Sequence, residues 1–369
     1  VISKCSFVCE TIEGYIIVVD LKNNVAEKIG KLYRGKLRMY KRIQFNYEKK
    51  VLKRIISSRE EFIKNNKVDI KHDRHCAYIS INDMKLVIDG FVEGHALLQT
   101  ECLFLISSFT QPGKLYTISE LIEKSDDFNF AFRHKIINGI PVYDNNLNSQ
   151  NVIFFLHGGP ESNYMQFYDY TIDKLNKLNL YRMVLINYAG STGYSQEYQE
   201  MIYQQGGKKD IDSILTVIRS YTGKKIVIGE SYGGYLSVLL SLKVSKSIDV
   251  SNVFIINGFT DIYFQLFFSK AKGLMRKYFP VGIENNIKKV NPTSLVGKGT
   301  YPCCKLTFIH SIEDTVCPVN QIFYFKKLLY RLDEGLCQIY LTKGSHQQLK
   351  LIEKKKITDI LIKELTKER

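Results

Sequence analysis

Lys225-Ile226-Val227-Ile228-Gly229-Glu230-Ser231-Tyr232-Gly233-Gly234-Tyr235 is the stretch on which the reading of this chain turns. Its first four residues form a mostly apolar run of the kind buried in a parallel sheet. The residues from Gly234 to Leu242 are helix-compatible. Between them, Gly229-Glu230-Ser231-Tyr232-Gly233 fits the pattern G-x-S-x-G, which is weak as a bare match. Set between a strand and a helix, it predicts a tight turn with a strained backbone at the serine. Glycines on both sides leave room for that turn. The Ser231 hydroxyl would then stand above the sheet, over a helix N-terminus. The alternative is an ordinary glycine turn.

A serine hydroxyl is a poor nucleophile until a base takes its proton. In this kind of fold an acid and a histidine follow in that order, each on a loop after a later strand. The apolar run Leu306 to Ile309 leads into His310-Ser311-Ile312-Glu313-Asp314, so Asp314 is the expected acid. Glu313 is its nearest rival. The run Gln338 to Leu341 leads into Lys343-Gly344-Ser345-His346, and His346 is the one histidine after Asp314. His310 lies too early to be the base and is expected to support the acid's loop. Donors for a developing oxyanion are expected from the glycines of His157-Gly158-Gly159-Pro160 and from the N–H of Tyr232.

Outward from these motifs the chain changes character. Up to about residue 124 it reads as short β-strands joined by polar turns, for instance Tyr15 to Leu21 ending at Lys22-Asn23-Asn24. Ala77 to Ile81 and Lys85 to Ile88 flank Asn82-Asp83 as a hairpin, and Glu101 to Ile106 is a further strand. Tyr47 to Lys64 has helical spacing. Such a pattern suits propeller blades or a small sandwich. From about residue 150, strands (Asn151 to Leu156, Met183 to Ile186, Val253 to Ile256) alternate with helical segments. These segments are Tyr168 to Leu180, Ile211 to Tyr221, Gln321 to Leu332 and Gln347 to Leu365. Alternation of this sort predicts a mostly parallel sheet covered by helices, the α/β class. The expected domains are a β-rich region over residues 1–124 and an α/β-hydrolase catalytic domain over residues 125–369.

Composition narrows the classes. The chain has 369 residues, 45% of them hydrophobic, enough for a sizeable core. No run approaches the roughly 18 apolar residues that a membrane span needs. The first residues lack a basic stretch followed by an apolar stretch and a small-residue cleavage site. Eight cysteines, with no C-x-x-C pair and no zinc-finger spacing, are expected as free thiols in a reducing cytoplasm. The net charge of +15 raises the question of polyanion binding, most sharply in the basic, tyrosine-interleaved block Lys31 to Arg59. Lysine is in excess along the whole chain, so a solvated basic face is the reading adopted, with no nucleic-acid partner.

At this point the chain resembles the prolyl oligopeptidase family of serine peptidases, in particular its acylaminoacyl-peptidase and dipeptidyl-peptidase branches. The resemblance rests on His157-Gly158-Gly159-Pro160, on Asn187-Tyr188-Ala189-Gly190-Ser191-Thr192-Gly193-Tyr194, and on Gly229 to Tyr235. It rests also on Asp314 placed between His310 and Pro318, and on His346. Ser107 to Gly113 looks like the family's last propeller segment. The resemblance implies an α/β-hydrolase domain under a β-propeller that filters substrates by size. It implies Ser231, Asp314 and His346 as a triad, with Gly159 and Tyr232 as the oxyanion hole. Three positions depart from the family: Ala189 stands where arginine is usual, Cys317 where valine is, and Gln347 where glycine is. The roughly 120 residues ahead of the catalytic part are too few for a full propeller, so the cap is expected to be partial. No paired acids for holding a substrate amine can be placed.

The expected function is hydrolysis of short peptides through an acyl-enzyme, with no metal or organic cofactor. An esterase, thioesterase or peptide-tailoring acyltransferase would use the same triad, and an inactive binding module is the remaining alternative. Homo-oligomerisation is left open. The aromatic-rich segment from Gly258 to Pro302 suits either a substrate pocket or core packing.

Overall fold

The computed structural model describes residues 6–11, 15–20, 25–33, 36–39, 68–72, 77–81, 84–88, 90–97, 102–124, 130–244, 248–279, 284–330, 334–346 and 351–367. The helix expected at Tyr47 to Lys64, the turns at Lys22-Asn23-Asn24 and Asn82-Asp83, most of the basic block and Gln347 lie outside them. The chain divides into two compact units, Val1–Ala131 with Met165–Asp169, and Phe132–Tyr164 with Tyr170–Arg369.

The first unit is β-rich, as its runs and turns predict. Its strands are β1 (Ser6–Thr11), β2 (Tyr15–Asp20), β3 (Val25–Tyr33), β4 (Lys36–Met39), β5 (Val68–His72), β6 (Ala77–Ile81), β7 (Met84–Ile88), β8 (Phe91–Leu97), β9 (Cys102–Ser108) and β10 (Gln111–Thr117). Seven of them form one antiparallel sheet in the order β10-β9-β8-β1-β2-β3-β4, and β5-β6-β7 form a second. Cys102, Phe104 and Ile106 are fully buried while Leu103 and Leu105 are not, the period of two expected of a strand with one packed face.

The second unit holds the predicted parallel sheet. Its strands are β11 (Arg133–Ile137), β12 (Ile140–Asp144), β13 (Val152–Leu156), β14 (Arg182–Ile186), β15 (Lys225–Glu230), β16 (Val250–Ile256), β17 (Lys305–Ser311) and β18 (Cys337–Thr342). They lie in the order β11-β12-β14-β13-β15-β16-β17-β18. β11 and β12 are antiparallel, and every pairing from β14 to β18 is parallel. All five residues of β13 are buried, which fits a strand covered on both faces. The helix Lys209–Arg219 buries Ile211, Ile214, Leu215, Val217 and Ile218 along one stripe. The helix Tyr232–Lys243 is buried almost all round and packs beside β15 and β16. No described helix is long and apolar enough to cross a membrane.

Asp144, at the end of β12, ties the edge of this sheet together. Its buried carboxylate accepts from Arg182 Nη2 at 2.7 Å and Nε at 3.1 Å, from Lys135 Nζ at 3.1 Å and from Tyr221 Oη at 3.0 Å. Burial alone would raise its pKa. Arg182, the Asn146 N–H and Lys135 outweigh burial and hold it below the usual carboxylate value. The partners left behind in Asp144→Ala, Arg182 and Lys135, are 31% and 37% exposed and can bind water instead. The variant is therefore expected to cost about 1–3 kcal/mol in urea unfolding, the range for lost hydrogen bonds to a charged group. Because the folded pKa is depressed, the ionised carboxylate's contribution is present above the unfolded pKa and is lost as pH falls through the folded value. The variant should lack that acid-side loss.

Candidate active site

The site forms at the carboxyl ends of the parallel strands, where an open α/β sheet presents its loops. β15 runs into the helix Tyr232–Lys243 with a single residue, Ser231, between them. Ser231 has φ 54° and ψ −115°, a left-handed conformation for a non-glycine residue. Two glycines make the turn sterically feasible. A Cβ on Gly229 would stand 2.2 Å from the Gly233 carbonyl oxygen, and one on Gly233 would stand 2.2 Å from that of Leu156.

The three residues expected to act together meet here. His346 Nε2 lies 2.9 Å from Ser231 Oγ, and His346 Nδ1 lies 2.6 Å from Asp314 Oδ2. The other Asp314 oxygen accepts the backbone N–H groups of Val316 at 2.8 Å and Cys317 at 2.7 Å. Asp314 is buried and Glu313 exposed, so burial separates the two rival acids. His310 is buried beside them, with Nε2 hydrogen-bonded to the Cys317 carbonyl at 2.7 Å and 3.7 Å from Asp314. It ties the end of β17 to the Cys317 carbonyl across the loop that carries Asp314.

The loop after β13 lies against the turn. A Cβ on Gly158 would fall 3.1 Å from Ser231 Cβ, and the next residue, Gly159, has φ 124°. Tyr232 opens its helix, and the first N–H groups of a helix have no carbonyl of their own to bond. His157 fixes this loop. Its Nδ1 bonds the Gly158 carbonyl at 2.7 Å, its Nε2 lies 2.8 Å from Ser191 Oγ, and its ring stacks on Tyr188 at 4.3 Å. Burial lowers its pKa to about 4, so the ring is neutral near pH 7. The motif Asn187 to Tyr194 thus supplies, through Tyr188 and Ser191, the support for the glycine loop. Ala189, in the position where arginine is usual, is buried and donates its N–H to the Ser213 hydroxyl oxygen at 3.0 Å.

Three supporting residues were not singled out from the sequence. Asn257, after β16, donates from Nδ2 to the His346 carbonyl at 3.0 Å and accepts the Ser311 N–H at 2.8 Å. Gln265 donates from Nε2 to Cys317 Sγ at 3.1 Å. Asp210 accepts from Tyr232 Oη at 2.7 Å, from the Gly207 N–H at 3.0 Å and from the Ile211 N–H at 2.8 Å, wholly inside the protein. Asn257 carried one usable signal, since it follows a strand at the carboxyl edge of the sheet. Of the aromatic segment, Leu266, Tyr278 and Phe279 are buried in the core, whereas Phe267 and Phe268 are 64% and 71% exposed. Among the described residues, Asp314, Cys317 and His346 are also a group of metal-ligating type, with one atom each within 4.8 Å of the others.

The model of the prolyl oligopeptidase family matches residues 177–363. Acylamino-acid-releasing enzyme 1 of Oryza sativa subsp. japonica is 23% identical over 195 residues, 48% of this chain and 25% of that enzyme. The acylaminoacyl peptidase of Pyrococcus horikoshii has a similar structure, with TM-score 0.61, 18% identity and coverage of 96% of this chain and 67% of that one. Prolyl oligopeptidase B of Galerina marginata gives TM-score 0.61 at 13% identity, covering 94% and 52%. At these identities the structural likeness establishes the fold alone.

Asp210 yields a prediction about pH. Burial pushes its pKa up to about 6, against the N–H groups and the Tyr232 hydroxyl that favour its charge. A raised folded pKa means that its contribution to stability is fully present below the unfolded value and is lost as pH rises through about 6. Unfolding free energies across that window should fall with rising pH in the parent protein. The slope should be shallower in Asp210→Ala.

Proposed function

This chain belongs to the prolyl oligopeptidase family, and from that premise we propose that it is a serine peptidase acting on short peptides through an acyl-enzyme. The observation that carries the reading is the continuous line of hydrogen bonds from Asp314 through His346 to Ser231, at 2.6 and 2.9 Å. In the proposed reaction Ser231 Oγ attacks the substrate carbonyl while His346 Nε2 takes its proton. Asp314 keeps the imidazole oriented with its other N–H directed at the carboxylate and offsets the charge it acquires. The N–H groups of Gly159 and Tyr232 receive the oxyanion. His346 then protonates the leaving amine, and a water activated by the same imidazole releases the acyl group. Each step draws on atoms of this chain and on water.

The family match covers half of the chain, and the alignment with the rice enzyme spans a quarter of that enzyme. Substrate choice is therefore argued as a proposal from two supports. The names of the rice and Pyrococcus proteins favour an acylated aminoacyl substrate. The exposed Phe267 and Phe268 follow β16 on the carboxyl side of the sheet and offer apolar surface for an acyl group or side chain. A cytoplasmic setting belongs to the same proposal, supported among the described residues by Cys303, Cys317 and Cys337, which are in no disulfide.

A fluorophosphonate probe is expected to label the chain, and Ser231→Ala to abolish labelling. Asp314→Asn should retain the fold and lose turnover by about 10⁴-fold, the effect of a misoriented imidazole. Acetyl-aminoacyl nitroanilides should be cleaved. Turnover of short acyl esters with no cleavage of the anilides would replace the peptidase reading with an esterase. Labelling that survives in Ser231→Ala would count against the whole assignment.

A further inference from the structure

Cys317 lies in this site, and the proposed reaction does not use its thiol. It is 1% exposed and follows Asp314 by three positions. Its N–H holds the Asp314 carboxylate, a task any residue but proline could perform. Its thiol is therefore an addition, standing where the family resemblance places valine. The sulfur accepts from Gln265 Nε2 at 3.1 Å. Among the described residues, Oε1 of the same buried amide has no hydrogen-bond partner.

We propose that Cys317, His346 and Asp314 together form a binding site for a divalent cation of the zinc class, and that the bound ion reversibly silences the triad. Thiolate, imidazole and carboxylate are the three ligand types that zinc takes from proteins. The three ligand atoms already lie within 4.8 Å of one another. A tetrahedral zinc with bonds of about 2.0–2.3 Å holds its ligands roughly 3.3–3.8 Å apart. The widest pair would have to close by roughly 1.0–1.5 Å, a movement supplied by rotation about χ1 of Cys317 and of His346, whose side chain is 15% exposed. Valine at this position would offer no donor atom.

The exchange balances simply. The cation forms bonds to Sγ, to one ring nitrogen of His346 and to an Asp314 oxygen. The Cys317 thiol releases its proton to solvent. The imidazole stays neutral and keeps one proton on the nitrogen that the ion does not use. No oxidation or reduction occurs. Burial and the Asp314 charge push the thiol pKa up, whereas Gln265 and Ser231 act to lower it. A dication beside the sulfur reverses the balance, as it does for any ligating thiol. Once held, the imidazole is tied to the ion, its bond to the Asp314 carboxylate is replaced, and it cannot collect the Ser231 proton. Gln265 then serves as the outer support of the sulfur.

The site itself stands on geometry. Its inhibitory consequence rests on the peptidase reading. The test uses the full chain, stripped with a chelator, in two titrations. Zn²⁺ is added while the fluorophosphonate probe labels Ser231, and Cd²⁺ is added while the ultraviolet thiolate-to-cadmium charge-transfer band is followed. Zn²⁺ is expected to slow labelling of the parent, and the chelator to restore it. Cys317→Val and Cys317→Ser should need at least roughly tenfold more Zn²⁺ for the same slowing, the lower end of the cost of disturbing a metal ligand's surroundings. Both should lack one cadmium–thiolate equivalent relative to the parent. Equal Zn²⁺ sensitivity in the parent and both variants would overturn the proposal, as would identical cadmium bands. If the parent does not react with the probe, the hydrolase reading fails by itself, and the cadmium difference between parent and variants still decides the site.

Discussion

Ser231 holds φ 54° and ψ −115°, a conformation that costs a non-glycine residue about 1–3 kcal/mol. It stays there because everything around it is packed against backbone. The Gly229 and Gly233 positions have no room for a side chain, since neighbouring carbonyl oxygens lie only 2.2 Å from where a Cβ would be. The carbonyls of Leu156 and His157 press on Gly233 from β13, and the Ile256 carbonyl accepts the Ser231 N–H at 2.9 Å from β16. The strain at one residue is thus held by three adjacent parallel strands. Those strands are themselves fixed by apolar burial on both faces. The loops that bring the imidazole and the carboxylate only have to reach a hydroxyl whose position is already set.

The carboxylates of the second unit illustrate how surroundings assign work to one chemical group. Asp144 faces Arg182 and Lys135 and fastens the sheet edge. Asp314 accepts two backbone N–H groups through one oxygen and an imidazole through the other, so its geometry is set before any substrate arrives. Asp210 lies in the core with backbone N–H groups and the Tyr232 hydroxyl as its donors. By accepting the Tyr232 hydroxyl it holds the residue immediately after Ser231. The rings around that tyrosine, with Tyr235 and Phe259 stacked at 4.6 Å, make the same region rigid from the other side.

Support for the histidine is spread over separate segments. Asn257 bridges the ends of β16 and β17 to the His346 carbonyl, and the Ser311 hydroxyl donates to the Gly344 carbonyl. His157, Tyr188 and Ser191 hold the glycine loop with hydrogen bonds and a ring stack. Cys317 breaks this economy. Its sulfur accepts from Gln265 Nε2 and stands beside the line from Asp314 through His346 to Ser231 without belonging to it.

The amino-acid order by itself determined the elements whose side-chain period is complete within a few residues. The all-apolar β13, the amphipathic stripe of Lys209–Arg219 and the glycine-flanked Ser231 turn were legible for that reason. So was the order of Ser231, Asp314 and His346, because each follows an apolar run. The β11–β12 hairpin escaped notice even though Asn138-Gly139 marks it, because Arg133, His134 and Lys135 give the strand no apolar face. The helices Ile262–Phe268 and Lys272–Tyr278 were equally obscure, since their aromatic residues divide between core and surface. Strand order, the contact of Asp210 with Tyr232, the grip of Asn257 on His346 and the closeness of Cys317 to the triad were decided only by the tertiary structure. The residues concerned are far apart in the chain, Ser231 and His346 by 115 positions. A local pattern carries no record of which distant groups will share a hydrogen bond, because that depends on how whole strands pack.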